Sequence, residues 1–255
     1  MKEKVKNIFF KIWYWYISTI DKNAEVIFMN YGYSKNNQKI ILKKEDENNR
    51  YSIQLYNHTM AGIDIKEKNI LEIGCGRGGG LSYINRYLSP NEVTGIDLNK
   101  KAIEFCKKKY TEENNTFLQA NAQNLPFWNS SFEVVINVES SHRYPQVELF
   151  INEAYRILKP GGFFLLTDFG QSGELKMLEK HIKNAQFEIV KKENITNEVI
   201  EALSLSTPER KVLIDKIIPT FLRGIAYQFA ATEESTTYNR FSNRYFEYVH
   251  YILKK

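Results

Sequence analysis

The run Leu71-Glu72-Ile73-Gly74-Cys75-Gly76-Arg77-Gly78-Gly79-Gly80 carries the densest chemical signal in the chain. Glycines at 74, 76 and 78 let a backbone bend tightly and approach a ligand with no Cβ in the way. Asp97 ends the segment Val93-Thr94-Gly95-Ile96-Asp97-Leu98, about twenty residues beyond the glycines, where a carboxylate accepts hydrogen bonds from both hydroxyls of an adenosine ribose. The spacing is Gly-x-Gly-x-Gly, which differs from the pyrophosphate-binding Gly-x-Gly-x-x-Gly of dinucleotide enzymes. Glu72 precedes the first glycine by two residues, where it would repel a pyrophosphate and attract an amino group. A nucleoside with free 2′ and 3′ hydroxyls is therefore favoured over NAD.

These residues must be held by regular elements, and the hydrophobic pattern supplies them. Short β-rich runs at 69–73, 92–97, 116–119, 132–137 and 162–168 alternate with helical patterns at 79–88, 100–110 and 146–158. Such alternation predicts a parallel sheet with helices on both faces. Lys159-Pro160-Gly161-Gly162 reads as the breaker that ends the last of these helices. A further helix is expected at 174–185, a strand at 187–195 and a closing strand at 245–253. The whole reads as a Rossmann-like α/β fold: seven strands, mostly parallel, with an antiparallel last strand. Thr207-Pro208-Glu209 resembles a helix start, with threonine as cap and proline at the first helical position. A division follows into an N-terminal helical lid segment, 1–56, and a main domain, 57–255, with a helical cap insertion at about 196–243.

His142 follows the fourth strand and Asp168 ends the fifth. In a sheet of this kind those strands are neighbours whose carboxyl ends open into the ligand crevice. An imidazole beside a carboxylate is a general base, because the carboxylate fixes the tautomer and stabilises the imidazolium. The competing reading has His142 packing or bonding Glu139. His58, His181 and His250 fall in segments that read as surface helix or closing strand.

Leu71 to Gly78 resembles motif I of the class I methyltransferases that use S-adenosylmethionine (SAM), and Asp97 matches that family's acidic second motif. Asn121-Ala122-Gln123-Asn124-Leu125-Pro126-Phe127 is similar to its adenine-contacting Asp-Ala-x-x-Leu-Pro-Phe, with Asn121 where aspartate is usual. The segment 132–137 and the turn Leu158-Lys159-Pro160-Gly161-Gly162 complete the set. A narrower resemblance links Phe28-Met29-Asn30-Tyr31-Gly32-Tyr33, Arg50-Tyr51-Ser52-Ile53-Gln54-Leu55-Tyr56, Asn137-Val138-Glu139-Ser140-Ser141-His142, Thr167-Asp168-Phe169 and Asn194-Ile195-Thr196 to bacterial lipid and natural-product O-methyltransferases. Among these are the mycobacterial phthiotriol dimycocerosate and fatty-acid methyltransferases. The resemblance implies a SAM site, with S-adenosylhomocysteine as product, built from Glu72, Gly74, Cys75, Gly76, Gly78, Asp97, Leu98, Asn121, Ala122, Asn137, Gln54 and Tyr33. It also implies O-methylation of a hydroxyl on a lipid-like or secondary-metabolite acceptor, with His142 and Asp168 catalytic. Methylation at carbon, as in quinone or sterol-type relatives, and a non-catalytic SAM-binding partner protein remain the alternatives.

Composition narrows the setting. With 43% hydrophobic and 25% charged residues, the chain reads as a globular protein. Its net charge of +5 comes from scattered lysines, which does not suggest nucleic-acid binding. The two cysteines, Cys75 and Cys106, lack zinc-like spacing, and no His/Asp/Glu cluster points to a metal, so none is expected. A reducing, cytoplasmic compartment is expected. Val5, Ile8, Phe9, Ile12, Trp13 and Tyr16 recur at helical spacing. That amphipathic helix either packs on its own domain or acts as a lid or membrane-surface contact beside an apolar acceptor; a homodimer is also compatible. Trp13, Tyr14, Trp15, Tyr31, Tyr33, Phe221, Tyr227 and Phe229 concentrate in the presumed coverings and would suit an apolar acceptor.

Overall fold

A computed structural model describes Asp21 and residues 24–255; the expected N-terminal helix, with Trp13, Tyr14 and Trp15, lies outside the described residues. The sheet has the order β3-β2-β1-β4-β5-β7-β6. Its strands are β1 (Asn69–Ile73), β2 (Glu92–Asp97), β3 (Asn115–Gln119), β4 (Phe132–Val138), β5 (Leu158–Gly170), β6 (Glu188–Asn194) and β7 (Glu247–Lys254). β1 to β5 pair in parallel, and β7 lies antiparallel between β5 and β6. The predicted Rossmann-like sheet with its antiparallel closing strand is therefore the fold of the chain. The central strands are almost wholly buried, as β1 and β4 must be with helices on both faces.

The helices are α1 (Arg50–Met60), α2 (Gly79–Leu88), α3 (Lys100–Lys109), α4 (Val147–Ile157), α5 (Ser172–Asn184), α6 (Thr196–Ile217), α7 (Arg223–Phe229) and α8 (Thr236–Ser242). α1 runs through the division expected at 56/57 as one continuous element. Each crossover has a local reason. Gly78 enters α2 with φ +74°, a backbone that a side chain resists. Asn99 caps α3 by accepting from Lys101 N and Ala102 N. One core layer packs α1, α2 and α6 against the sheet and the other packs α4 and α5.

Two expectations need correction. Thr207-Pro208-Glu209 does not start a helix, since α6 runs through it with Pro208 inside. The helix carries Pro208 through to Ile217, and just before it Ser206 Oγ donates to Ala202 O (2.7 Å) and Thr207 Oγ1 donates to Leu203 O (2.8 Å). The Pro160-Gly161 breaker lies within β5, which begins directly at Leu158. Gly161 takes φ +77° there, and the β4/β5 register shifts between Phe132 and Val134 to absorb the extra residues. Among the described residues no helix is long and apolar enough to cross a membrane.

Candidate active site

At the carboxyl end of β1 the chain turns through Gly74 and Gly76, with φ +79° and +53°. A Cβ on Gly74 would stand 2.3 Å from Ser140 Oγ and 2.8 Å from the Tyr144 hydroxyl, so only glycine fits. The turn is tied to β2 by Gly74 N and Cys75 N, which both donate to Ile96 O (2.8 and 2.9 Å). Asp97 then fastens it from the side. Its Oδ2 accepts from Gly76 N (2.9 Å) and its Oδ1 from Asn99 N (2.7 Å). Each oxygen keeps a second lone pair, so the carboxylate is oriented and still able to accept from a ligand.

Beneath the turn sits Glu72, fully buried, with Oε1 accepting from the Tyr56 hydroxyl at 2.6 Å and Oε2 without a partner. Burial pushes its carboxyl up to about 7, against the opposing pull of the Tyr56 bond. Asn137, at the end of β4, donates Nδ2 to Ile73 O (2.7 Å) and Ser140 Oγ (2.6 Å), leaving Oδ1 buried and unpartnered. Two orphaned acceptors and one half-used carboxylate thus surround the glycine turn. Buried acceptors require donors, and SAM brings them as an ammonium group and two ribose hydroxyls. Leu98 is exposed beside Asp97, and Asn121 is exposed at the end of β3, its Oδ1 accepting from Gln123 N (3.0 Å). Ala122 is buried behind them. Cys75 faces inward: its Sγ is buried beside Cys106, whose hydrogen bond, reinforced by burial, holds the thiol well above its ordinary range. Only the Cys75 backbone belongs to the turn's surface.

Tyr33 and Gln54 are engaged elsewhere. The Tyr33 ring stacks on His58 at 4.1 Å, and Gln54 is buried, donating Nε2 to Tyr33 O (2.9 Å) and accepting at Oε1 from Ile40 N (3.4 Å). These bonds tie the segment before α1 to the helix, so as cofactor contacts both residues rest on the resemblance alone. Sequence reasoning missed another attachment across the turn. Arg77 Nη1 donates to Asp21 Oδ2 at 2.6 Å with both side chains buried, and Asp21 also accepts from Glu25 N and Val26 N. Ile27 and Phe28 pack against Gly79 and the Met29 methyl lies over Gly76, so Asp21 and residues 24–29 cover the glycine turn. Nothing in the local pattern around Arg77 reveals a partner 56 residues away.

His142 and Asp168 meet as their strand positions predicted. His142 lies in the short helical turn Ser141–Arg143, and its Nδ1 donates to Asp168 Oδ1 at 2.6 Å. Asp168 is buried and also accepts from Ser141 Oγ (2.5 Å), His142 N (3.0 Å) and Phe169 N (2.8 Å). Burial alone would raise its pKa, but the adjacent imidazole and these bonds hold the carboxyl below its ordinary range. The second ring nitrogen, Nε2, is left for another partner. Glu139, the other partner considered for His142, instead accepts at Oε1 from Tyr31 N and the Tyr248 hydroxyl, each at 2.6 Å. His142 lines a groove of about 520 Å³ between the strand ends, α4 and α5, and packs on Phe169 with ring centres 4.4 Å apart.

The remaining histidines stay outside this constellation. His250, expected in a closing strand, is wholly buried in β7, with Nδ1 2.9 Å from Thr167 Oγ1, and burial pushes it down to about 3. His58 pairs with Glu193 at 3.0 Å, and His181 lines the groove beside α5. Among the described residues no group of His, Cys, Asp or Glu side chains could hold a metal.

Residues 71–166 match a family model described as a methyltransferase domain. The chain is 39% identical over 214 residues, 84% of this chain and 78% of the relative, to the fatty-acid O-methyltransferase of Mycolicibacterium smegmatis. It is 35% identical over 227 residues, 88% of this chain and 84% of the relative, to the phthiotriol/phenolphthiotriol dimycocerosates methyltransferase of Mycobacterium tuberculosis. A cyclopropane synthase from Mycobacterium tuberculosis shares the fold, with a TM-score of 0.69 over 91% of this chain and 98% of that one, at 14% identity. With the glycine turn, Asp97 and the sheet order in place, these matches establish that the chain is a SAM-dependent methyltransferase of the class I type and belongs to the family of these two mycobacterial methyltransferases.

Proposed function

We propose that this enzyme methylates a hydroxyl oxygen on a lipid-like small molecule, with His142 as base and Asp168 as the group that orients it. The preformed Nδ1–H···Oδ1 bond of 2.6 Å carries the reading. It fixes the tautomer that leaves Nε2 able to accept a proton, as a base for an alcohol must. When bound, SAM supplies an electrophilic methyl group on a sulfonium. The chain's own residues hold the acceptor oxygen in line, exclude water, and take the hydroxyl proton at His142 Nε2, while Asp168 stabilises the resulting imidazolium. Positioning of this kind supplies roughly 7 to 11 kcal/mol of such a barrier. The lipid-like acceptor is inferred from the names of the two mycobacterial relatives and from Phe169, which lines the groove and packs on His142.

A second reading, esterification of a fatty-acid carboxylate, follows from the name of the 39% relative; it needs no base. Incubation with methyl-labelled SAM and matched panels of long-chain alcohols and fatty acids separates the two. Mass spectrometry should find a labelled methyl ether; labelled methyl esters alone would overturn the hydroxyl reading.

In this proposal Glu72, Asn137, Asp97 and the backbone of 74–78 hold SAM, with Leu98, Asn121 and Ala122 at the adenine end. Asp97→Ala should weaken SAM binding by roughly 1.5 to 3 kcal/mol, because charge-assisted hydrogen bonds are lost. Titration calorimetry checks this, and an unchanged affinity in a folded variant would remove Asp97 from the site.

A further inference from the structure

Glu139 is the first residue beyond β4, between Asn137 at the glycine turn and His142 beside Asp168. Its backbone takes φ +49°, a left-handed geometry that a side chain resists and glycine accepts. Its N–H donates to Thr167 O at 2.9 Å, so the residue still extends the pairing of β4 with β5. The carboxyl reaches the segment that covers the glycine turn. Its Oε1 accepts from Tyr31 N and from the Tyr248 hydroxyl of β7, each at 2.6 Å. One side chain thus joins three parts that lie far apart in sequence: the stretch leading into His142, the covering segment and the closing strand.

Tyr31 is the point at which the covering segment is fixed to the rest of the site. Its carbonyl accepts from Arg210 Nη2 (3.0 Å), and the same guanidinium donates to the carbonyls of Asn30 (3.2 Å) and Ala230 (2.8 Å). Its ring packs on Phe169 and Phe241, with centres 5.3 and 5.4 Å apart. Two residues back, the Met29 methyl lies over Gly76, and Ile27 and Phe28 lie on Gly79. The Asp21–Arg77 pair anchors the segment's other end. A buried backbone N–H needs an acceptor, and for Tyr31 the Glu139 carboxyl supplies it.

We infer that Glu139 is a positioning residue for the cofactor: by accepting from Tyr31 N it holds residues 24–31 closed over SAM on the glycine turn. The segment must part from Gly76 and Gly79 for SAM to enter and S-adenosylhomocysteine to leave, so this hydrogen bond sets how firmly the cofactor is kept. This rests on SAM lying at the glycine turn, as proposed above, and holds for a hydroxyl or a carboxylate acceptor alike. Glutamine keeps an oxygen for Tyr31 N and the Tyr248 hydroxyl. Alanine and glycine do not, and glycine also relaxes the left-handed backbone. With the acceptor gone, a buried Tyr31 N–H disfavours the closed segment relative to an opened one that water can reach.

Hydrogen exchange at the Tyr31 amide, which reports local opening, and SAM affinity by titration calorimetry test this on the full chain. In Glu139→Ala the amide should exchange about tenfold faster or more, and SAM should bind about five- to thirtyfold more weakly. Glu139→Gln should bring both back to within about threefold of the parent. Loss of global stability alone would leave the SAM affinity of the folded enzyme where it was. Glu139→Gly, which suits the backbone, gives the same comparison if Glu139→Ala fails to fold. Asp97→Ala should weaken SAM binding while the Tyr31 amide keeps its parent rate. Weaker SAM binding in Glu139→Ala, with faster Tyr31 exchange but unaltered affinity in Asp97→Ala, would support the clamp and refute the ribose contact at Asp97. Parent exchange rates at Tyr31 in the alanine or glycine variant, or faster exchange with parent SAM affinity, would overturn the role of Glu139.

Discussion

His142→Ala should slow methyl transfer by roughly a hundredfold to ten-thousandfold, the span over which a positioned base acts, while SAM binding stays nearly intact. The split is expected because His142 touches Asp168 and Phe169, whereas the glycine turn is held by Ile96, Asp97 and Asn137. Asp168→Asn should also impair turnover, since an amide releases Nδ1 from its fixed role and removes the charge that stabilises the imidazolium. Single-turnover rates of the parent and both variants, with SAM affinity measured in parallel, decide the matter. Near-normal turnover in His142→Ala would remove the base and direct attention to a carboxylate acceptor.

The glycine turn, Asp97 and the His142–Asp168 pair were legible because each depends on short-range demands. A left-handed backbone at Gly74, Gly76 and Gly78 leaves few residue choices, and the strand ends that carry His142 and Asp168 become neighbours once β4 and β5 are read as consecutive parallel strands. Pro208 misled for the same reason: threonine followed by proline reads locally as a helix start, whereas here the pair lies inside a longer helix. Contacts between distant segments were out of reach. Arg210 to Asn30, Asp21 to Arg77 and Tyr31 to Glu139 span 180, 56 and 108 residues, and no periodicity encodes such pairings. The covering of the site therefore emerges only in three dimensions, through single polar side chains that join the segment before α1 to the cap and to the crevice.

Glu139 shows how that joining depends on pH. Its carboxyl is buried between Tyr31, Tyr248 and Arg210, with Asp168 nearby. Burial, only partly offset by the Tyr248 and Tyr31 bonds, pushes it up from 4.5 to about 8. A carboxyl whose pKa is raised on folding stabilises the native state below its unfolded value, and that contribution is lost as pH climbs through the folded value. For Glu139 the window runs from 4.5 to about 8, and Glu72 adds a similar loss up to about 7. Within the window each group removes up to about 1.4 kcal/mol of stability per pH unit. Glu139 and Glu72 therefore draw stability down between about pH 5 and 8, opposed up to about pH 6.5 by buried His250, whose lowered value adds stability as pH rises. Glu139→Gln should flatten this slope, because an amide cannot ionise yet still offers an oxygen to Tyr31 N and the Tyr248 hydroxyl. Denaturant titrations at intervals across that range supply the comparison. Parallel slopes for the parent and Glu139→Gln would show that Glu139 is already ionised in the folded protein, paired with Arg210 rather than held neutral beside Asp168.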